Sequence, residues 1–391
     1  MLDTIVLTID LGGEAEKQKI ISPATFDNWS PSLSGVLSKP YHRLGSKGQI
    51  HCYLNPSAIN LRSGKYYPTL EFYKKHTGDG IFKNVLYIRF SITKLLFDNN
   101  LEELADITPF ENDLNDAANW LHIRLLEMGV NVSVQQILKC PCNQAHFSKN
   151  IMFNDGTIPY SIISYLSKSN IDLRRRITND SYAGGGYGSH IATNKKGLSI
   201  YDKVKEMQKT RQITKTFSDG CGGWYQFDIF GDLLPSSTQV LRLEMQCGSP
   251  RMIRETLINA GIRIGSEITL TNIYGSRIAK HVLLNELAKL EDKIPPIANN
   301  HESISDFTEA LLALNPKSTA SQRMKVIAVK SLLNSNSMRD IRTMLQMTSS
   351  QWSRLMADVS KLNVNTDNYN PLAEVRKQLE KFQPIRLHKP P

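Results

Sequence analysis

The stretch DTIVLTIDL (residues 3–11) is a run of β-branched and aliphatic residues, and three similar runs follow it within the first hundred residues. These runs are GQIHCYLN (48–55), YYPTLEFY (66–73) and NVLYIRFSI (84–92), and each is bounded by Gly, Asn or Pro. Such runs, broken at short intervals by turn formers, are typical of β-strands. The first part of the chain is therefore predicted to be rich in strands.

The middle of the chain mixes helical and strand-like segments. Apolar residues recur at helical spacing in FENDLNDAANWLHIRLLEMG (110–129), which predicts an amphipathic helix. We also predict a strand-rich segment at 132–153, a helix at 157–169, a glycine-rich turn leading into a strand at 184–203, and a strand at TQVLRLEMQC (238–247).

Beyond about residue 250 helical patterns take over, and a linker-like DKIPPIANNHES (292–303) follows them. From residue 303 onward, consecutive short helices are predicted, the last of them capped by Thr348 or Ser349. EKFQPIRLHKPP (380–391) is predicted to be a loose basic tail. The sequence thus predicts an α+β protein with two domains, residues 1–295 and a smaller, mostly helical domain at 296–391.

The chain has 391 residues and a formal net charge of +10, with 47 Lys and Arg against 37 Asp and Glu. A positive surface favours polyanions such as nucleic acid, although many basic surfaces are simply solvated. No signal peptide and no run of about 18 apolar residues is found. We therefore expect a soluble cytoplasmic protein without a membrane partner.

The five cysteines form no CxxC pair, which favours a reducing compartment. Cys140-Pro-Cys142 resembles half of a zinc knuckle, but no second pair stands at a plausible spacing. Buried or free thiols are the favoured interpretation.

The segment KKGLSIYDKVKEMQK (195–209) sets Tyr201 between a strand-like run and a run of lysines. A phenol is a poor nucleophile at neutral pH, and nearby ammonium groups favour the phenolate. Lys203 and Lys205 could supply this effect and could also neutralise charge on a phosphate under attack. A tyrosine at a strand end is, however, more often a core or rim residue.

A divalent cation acting on the same phosphate needs histidine or carboxylate ligands. His146 in QAHFSKN and Glu244 in LRLEMQ are the candidates, because both lie in strand-like segments whose side chains alternate between faces. A structural histidine, and an exposed strand pair of Glu244 with Arg242, are the alternatives.

Several further residues suit a nucleic-acid groove that tracks a backbone and stacks bases. They are Arg174, Arg175 and Arg176, the glycine-rich residues 183–188 with Tyr187, and Lys195 with Lys196. The glycines form neither GxGxxG opening a helix nor GxxxxGK[ST], which excludes an ATPase of those types.

Two short helices separated by a brief turn are predicted in SMRDIRTMLQMTSSQWSRLMADVSK (337–361). This pattern is typical of a helix-turn-helix, in which Gln351 and Arg354 would face base edges. A small helical bundle with Trp352 in its core explains the pattern equally well.

Five blocks occur in the same order as in the replication initiators of filamentous phages, the gene II/X family, and the chain resembles that family over about residues 1–250. The blocks are MLDTIVLTI (1–9), FSITKLLFDNNLEEL (90–104), AHFSKNI (145–151), IYDKVKEMQ (200–208) and LRLEMQ (241–246). Rolling-circle plasmid initiators are more distantly similar, and SQWSRLMADVSKL (350–362) resembles a weaker block near the end of such proteins.

The resemblance implies an antiparallel-sheet endonuclease core and a metal-dependent enzyme that nicks and rejoins origin DNA through a covalent phosphotyrosine. Tyr201 falls at the family's nucleophile, Lys203 at the lysine of its Tyr-x-Lys block, and Glu244 at the acidic residue of its Arg-x-Glu block. Implied partners are Mg²⁺ or Mn²⁺, origin DNA, the host replication machinery in a bacterial cytoplasm, and a second copy of the chain.

This sequence departs from the family where a His-hydrophobic-His motif is expected, because Phe147 and Ser148 follow His146. Where some relatives carry a carboxylate before FS, this chain has Tyr87 in LYIRFS, and Glu71 of PTLEF is the proposed compensating ligand. Tyr182 and Tyr187 flank the glycine-rich loop and are first of all candidates for stacking on DNA bases, and a role for either as a second tyrosine in strand closure is left open. A non-enzymatic DNA-binding regulator is the main alternative function, and a structural or RNA-binding module is a third.

Overall fold

The computed structural model describes most of the chain in a set of ranges. These are residues 1–12, 41–44, 50–54, 66–76, 82–97, 99–104, 113–153, 157–170, 176–182, 186–193, 195–207, 239–299, 303–362, 364 and 372–385. For residues 41–44, 50–54, 74–76, 82–83, 176–182, 186 and 187, the description is limited to the backbone.

A single ten-stranded sheet organises the first part of the chain, and all of its neighbouring strands are antiparallel. The strands are β1 (Leu2–Asp10), β2 (Tyr41–Leu44), β3 (Ile50–Leu54), β4 (Thr69–His76), β5 (Phe82–Ser91), β6 (Cys142–Phe153), β7 (Arg176–Tyr182), β8 (Gly186–Ala192), β9 (Lys196–Asp202) and β10 (Gln239–Cys247). Their order is β2-β3-β4-β5-β1-β6-β10-β9-β8-β7. The predicted α+β class is confirmed at this level.

The helices of the first part cover one face of this sheet. They are α1 (Ile92–Phe97), α2 (Asp113–Glu127), α3 (Val134–Lys139), α4 (Pro159–Ser167), α5 (Pro250–Asn259), α6 (Leu270–Ile273) and α7 (Ser276–Glu291). Alternate residues of the central strands, such as Leu241, Leu243 and Met245 of β10, join the main apolar core on that face. Because side chains alternate along a strand, the residues between them point to the opposite face.

The prediction for 132–153 is wrong in its first third, because residues 134–139 form α3 rather than a strand. Ser133 and Gln136 make a reciprocal capping box at its start. These local hydrogen bonds satisfy two amide groups at the helix N-terminus and begin a helix where apolar content alone favoured a strand.

A second apolar core lies in the C-terminal part. Its helices are α8 (Ile304–Leu314), α9 (Ala320–Leu333), α10 (Met338–Met344) and α11 (Ser349–Lys361), and a 3₁₀ turn at Pro296–Asn299 precedes them. Buried side chains from these helices include Phe307, Val326, Ile341 and Trp352. The buried residues of this core begin at Ile297 and end at Val359.

The last helix, α12 (Ala373–Lys381), returns to the first core although it follows the second. Val375, Leu379 and Phe382 are buried there, and the Ile385 carbonyl accepts a hydrogen bond of 2.9 Å from the Glu103 amide. The described part of the predicted loose tail, residues 380–385, is therefore packed against the sheet unit. Residues 386–391 lie outside the described ranges.

Among the residues that the structure describes, no helix is both long enough and apolar enough to cross a membrane.

Candidate functional site

Four neighbouring strands bring a set of polar side chains together on the sheet face opposite the apolar core. Strand β10 supplies Arg242, Glu244 and Gln246, which stand opposite Tyr201, Ser199 and Gly197 of β9. On its other side β10 pairs with β6, so that Glu244 stands opposite Ser148 and Gln246 opposite His146. Directly opposed residues of antiparallel strands lie within side-chain contact distance.

Glu244 is the centre of this group. Its Oε1 lies 2.9 Å from Nδ1 of His146 and accepts a hydrogen bond of 2.9 Å from Gln246, and its Oε2 accepts one of 3.5 Å from the Tyr201 hydroxyl. Arg242 Nε lies 3.4 Å from the same Oε2. Burial alone would raise the pKa of Glu244, but the hydrogen bond from His146 and the charge of Arg242 hold that pKa well below its usual range.

Arg242 is fully buried and fixes the back of the site. Its guanidinium contacts Asp3 Oδ2 at 2.5 Å and donates to the side chains of Ser148 and Asn150 and to the carbonyl of Asn100. A planar guanidinium with five donors suits such a buried position, since each N–H direction can meet an acceptor. Strands β1, β6 and β10 are thus tied together beside Glu244 on the polar face.

Tyr201 is held as a neutral phenol. Burial raises its pKa well above the ordinary value, and the Glu244 carboxylate raises it further, while Arg242 opposes the shift. The sequence-based expectation that Lys203 and Lys205 favour the phenolate therefore does not describe this site. The cation that opposes the shift is Arg242, which stands opposite Tyr201 on the neighbouring strand β10.

The two lysines have other local contacts. Lys203 is buried, its Nζ lies 2.7 Å from Glu206 and 5.7 Å from the centre of the Tyr201 ring, and burial lowers the pKa of its ammonium group. The amide of Lys205 donates a 2.9 Å hydrogen bond to Asp202 Oδ1 at the start of the helical residues 203–207. The predicted passage from strand to helix at Tyr201 is present.

The candidate metal ligands are only partly brought together. His146 and Glu244 are in contact, whereas Glu71 lies on β4, three strands away from β6. At about 4.8 Å between neighbouring strands, this separation is roughly 14 Å. Within the described ranges, no group of three or more His, Cys, Asp or Glu side chains is arranged to hold a metal ion.

The candidate DNA-binding residues are spread over several places. Lys196 pairs with Glu286 of α7 at 3.0 Å, on the core-facing side of β9 rather than on the face of Tyr201. Lys195 is exposed next to it. Arg174 and Arg175 lie outside the described residues, and for Arg176, Tyr182 and Tyr187 only the backbone, in β7 and β8, is described.

The C-terminal helices α10 and α11 are joined by a four-residue turn that contains Gln346 with a φ of 48°. Thr348 caps α11, as predicted. The amide and the hydroxyl of Thr348 both donate to Gln351 Oε1 at 2.9 Å. Arg354 is exposed on the same helix, while Trp352 is buried in the second core.

Sequence reasoning missed His190, Ser199, Gln246 and Asp3 as members of the polar face. Gln246 donates to Ser199 Oγ at 3.3 Å, and that oxygen lies 2.6 Å from Nδ1 of His190 on β8. The alternation of polar with apolar residues in LRLEMQ could have identified Gln246, since it shares a face with Glu244.

Comparison with family models, with curated protein sequences and with solved structures finds no match to this chain.

Proposed function

We propose that this protein is a site-specific DNA nicking and joining enzyme that starts rolling-circle replication through a covalent phosphotyrosine. The observation that carries the proposal is the position of Tyr201, whose hydroxyl shares the Glu244 carboxylate with His146 and Arg242 on the polar face. The order of the sequence blocks and the net charge of +10 support the same function.

In the proposed reaction, the Tyr201 oxygen forms a bond to the phosphorus of a DNA phosphodiester while the bond from phosphorus to the 3′ oxygen breaks. The phenolic hydroxyl donates to Glu244 Oε2, and this carboxylate takes the phenolic proton when bound phosphate has displaced the contacts that keep it ionised. Glu244 then returns the proton, through water, to the leaving 3′ oxygen. The 5′ phosphate stays on the protein, and reversal of these steps rejoins the strand. Because the pKa of Tyr201 is raised, the proton has to leave as the new bond forms.

His146 is oriented for a direct role. With Nδ1–H donating to Glu244, the unprotonated Nε2 of the imidazole has a lone pair that could coordinate a cation. A Mg²⁺ or Mn²⁺ ion would be held here by His146 and Glu244, the two candidate ligands that are in contact. Such an ion would neutralise charge that develops on the phosphate.

The experiment is covalent capture. A library of negatively supercoiled plasmids, with inserts taken from the DNA around the gene for this chain, is incubated with the protein and Mg²⁺ or Mn²⁺. We expect a plasmid strand to become attached to the protein and the attachment to map to Tyr201 by mass spectrometry.

Tyr201→Phe should abolish both nicking and attachment while plasmid binding persists. Tyr160→Phe is the matched control, because Tyr160 is 51% exposed on α4, away from the polar face. Nicking by the Tyr201→Phe variant would show that the assignment is wrong.

A second candidate function, a non-enzymatic DNA-binding regulator, is favoured by the turn between α10 and α11. The positive φ of Gln346 and the exposed Arg354 at the start of α11 fit a helix-turn-helix that presents this helix to a DNA groove. In this case, DNA binding would depend on Arg354, and no covalent attachment would form.

A further inference from the structure

His190 belongs to a chain of hydrogen bonds that leads to Glu244. Gln246 Nε2 donates to both Glu244 Oε1, at 2.9 Å, and Ser199 Oγ, at 3.3 Å. The Ser199 oxygen is in turn 2.6 Å from His190 Nδ1. Strand β8 is thereby connected across β9 to the carboxylate on β10.

The direction of the link from Gln246 follows from the donors and acceptors available. The Gln246 amide nitrogen can only donate, so it uses a lone pair of the Ser199 oxygen. The Ser199 oxygen keeps a second lone pair and its hydroxyl hydrogen, so it accepts from or donates to Nδ1 of His190 according to the imidazole tautomer. In this arrangement Ser199 holds the Gln246 amide in the orientation that directs its second hydrogen at Glu244.

Gly197 makes room for the imidazole. A Cβ atom at Gly197 would lie 2.6 Å from Cε1 and 3.0 Å from Nε2 of His190, so the ring occupies the space that any other residue would fill. Gly197 stands opposite Gln246 in the sheet, and Ser199 stands opposite both Glu244 and His190. The ring therefore leans along β9 toward Gln246.

We infer that His190 is a positioning residue for strand cleavage, which acts through Ser199 and Gln246 to fix the Glu244 carboxylate between Tyr201 and His146. The inference rests on the proposed function, since it concerns the orientation of the group that accepts the phenolic proton. Loss of this orientation slows the cleavage step and leaves DNA binding unchanged.

The test uses single-turnover nicking of a plasmid recovered by the covalent capture described above, with plasmid binding and circular dichroism measured for each variant. His190→Ala is expected to slow nicking about tenfold, the order of effect of one misplaced hydrogen-bonded group. His190→Asn should stay within about threefold of the unaltered protein, because the Asn amide places a group that can donate or accept where Nδ1 stands. His190→Gln places its amide where Nε2 stands and leaves the position of Nδ1 without a hydrogen-bonding group. It should therefore be as slow as His190→Ala.

Two double variants test whether His190 acts through Ser199 and Gln246. Ser199→Ala should slow nicking as much as His190→Ala, and the double variant should be no slower than either single one, because both changes remove the same connection. Gly197→Ala should also slow nicking by displacing the ring, with no further effect once His190 is Ala. Gly265→Ala is the matched control, since nothing lies within 4 Å of its added Cβ.

The outcomes distinguish failure of this inference from failure of the proposed function. Rescue by His190→Gln rather than His190→Asn would overturn the inference in favour of direct contact between Nε2 and DNA. Unchanged nicking by His190→Ala, or multiplicative effects in the double variants, would overturn it and leave the proposed function intact. Failure of the unaltered protein to form any adduct would instead overturn the proposed function, and this inference with it.

Discussion

Replacing Arg242 by methionine should strongly destabilise the sheet unit, because the guanidinium is the buried counter-charge of Asp3. The side chain of Arg242 is 0% exposed and that of Asp3 is 6% exposed, and their contact distance is 2.5 Å. Removing one partner of such a pair leaves the other charge buried without compensation. Met fills most of the arginine stem volume, so lost charge and lost hydrogen bonds dominate the effect.

The size of the loss in stability follows from the groups that Arg242→Met leaves without a partner. Measured losses for one member of a buried ion pair are about 3–5 kcal/mol of the free energy of unfolding. Arg242 also donates to Ser148, Asn150 and the Asn100 carbonyl, so we expect the upper part of that range. Urea unfolding followed by far-UV circular dichroism measures the change.

Two comparisons make this prediction specific. Arg251→Met removes an ion pair with Glu255 of nearly equal length, 2.7 Å, but the Arg251 side chain is 83% exposed, so its urea midpoint should not change measurably. The double variant Asp3→Asn with Arg242→Met removes the unpaired charge of Asp3, while Glu244 keeps its contact with His146, and it should recover part of the loss. An Arg242→Met protein as stable as Arg251→Met, or a double variant equal to the sum of the single losses, would refute the reasoning.

Two further predictions concern titratable groups. The folded-state pKa of Glu244 is lowered, so its charge adds stability above the unfolded-state value of about 4.3, and this contribution is lost as the pH falls toward the folded-state pKa. The stability advantage over Glu244→Gln should therefore be full at pH 7 and shrink below about pH 4 in urea titrations. Burial raises the pKa of Cys140 and of Cys247 to about 11, so peptide mapping should find both unlabelled in the native protein and alkylated after unfolding.

Much of the fold could be predicted from the sequence, because strands with one buried face show alternating apolar and polar residues between turn-forming residues. Strands β1, β4, β5 and β10 were predicted within a few residues of their observed bounds. The order of strands in the sheet could not be read in this way. Strand β1 lies between β5 and β6, and β10 lies between β6 and β9, through pairings that close long loops.

The candidate site, like the fold, could be predicted only in part from the sequence. Tyr201, His146 and Glu244 were selected from the sequence, and the structure brings these three side chains together. The sequence groups Lys196 with the DNA-binding residues. Successive side chains of a strand point to opposite faces, however, and the ammonium group of Lys196 contacts Glu286 on the core side of β9. His190 could not be found because its contact with Ser199 depends on the register of β8 against β9.

The charge states of the site keep Tyr201 as a neutral phenol in the protein alone. His146 and Arg242 keep Glu244 ionised, and that negative charge together with burial keeps the Tyr201 phenol protonated. A phosphate and a cation that enter the polar face would compete for these same contacts and change the balance in favour of proton transfer. In the proposed enzyme, nucleophilicity is therefore a property of the complex with DNA, because the protein alone holds its carboxylate charged and its phenol neutral.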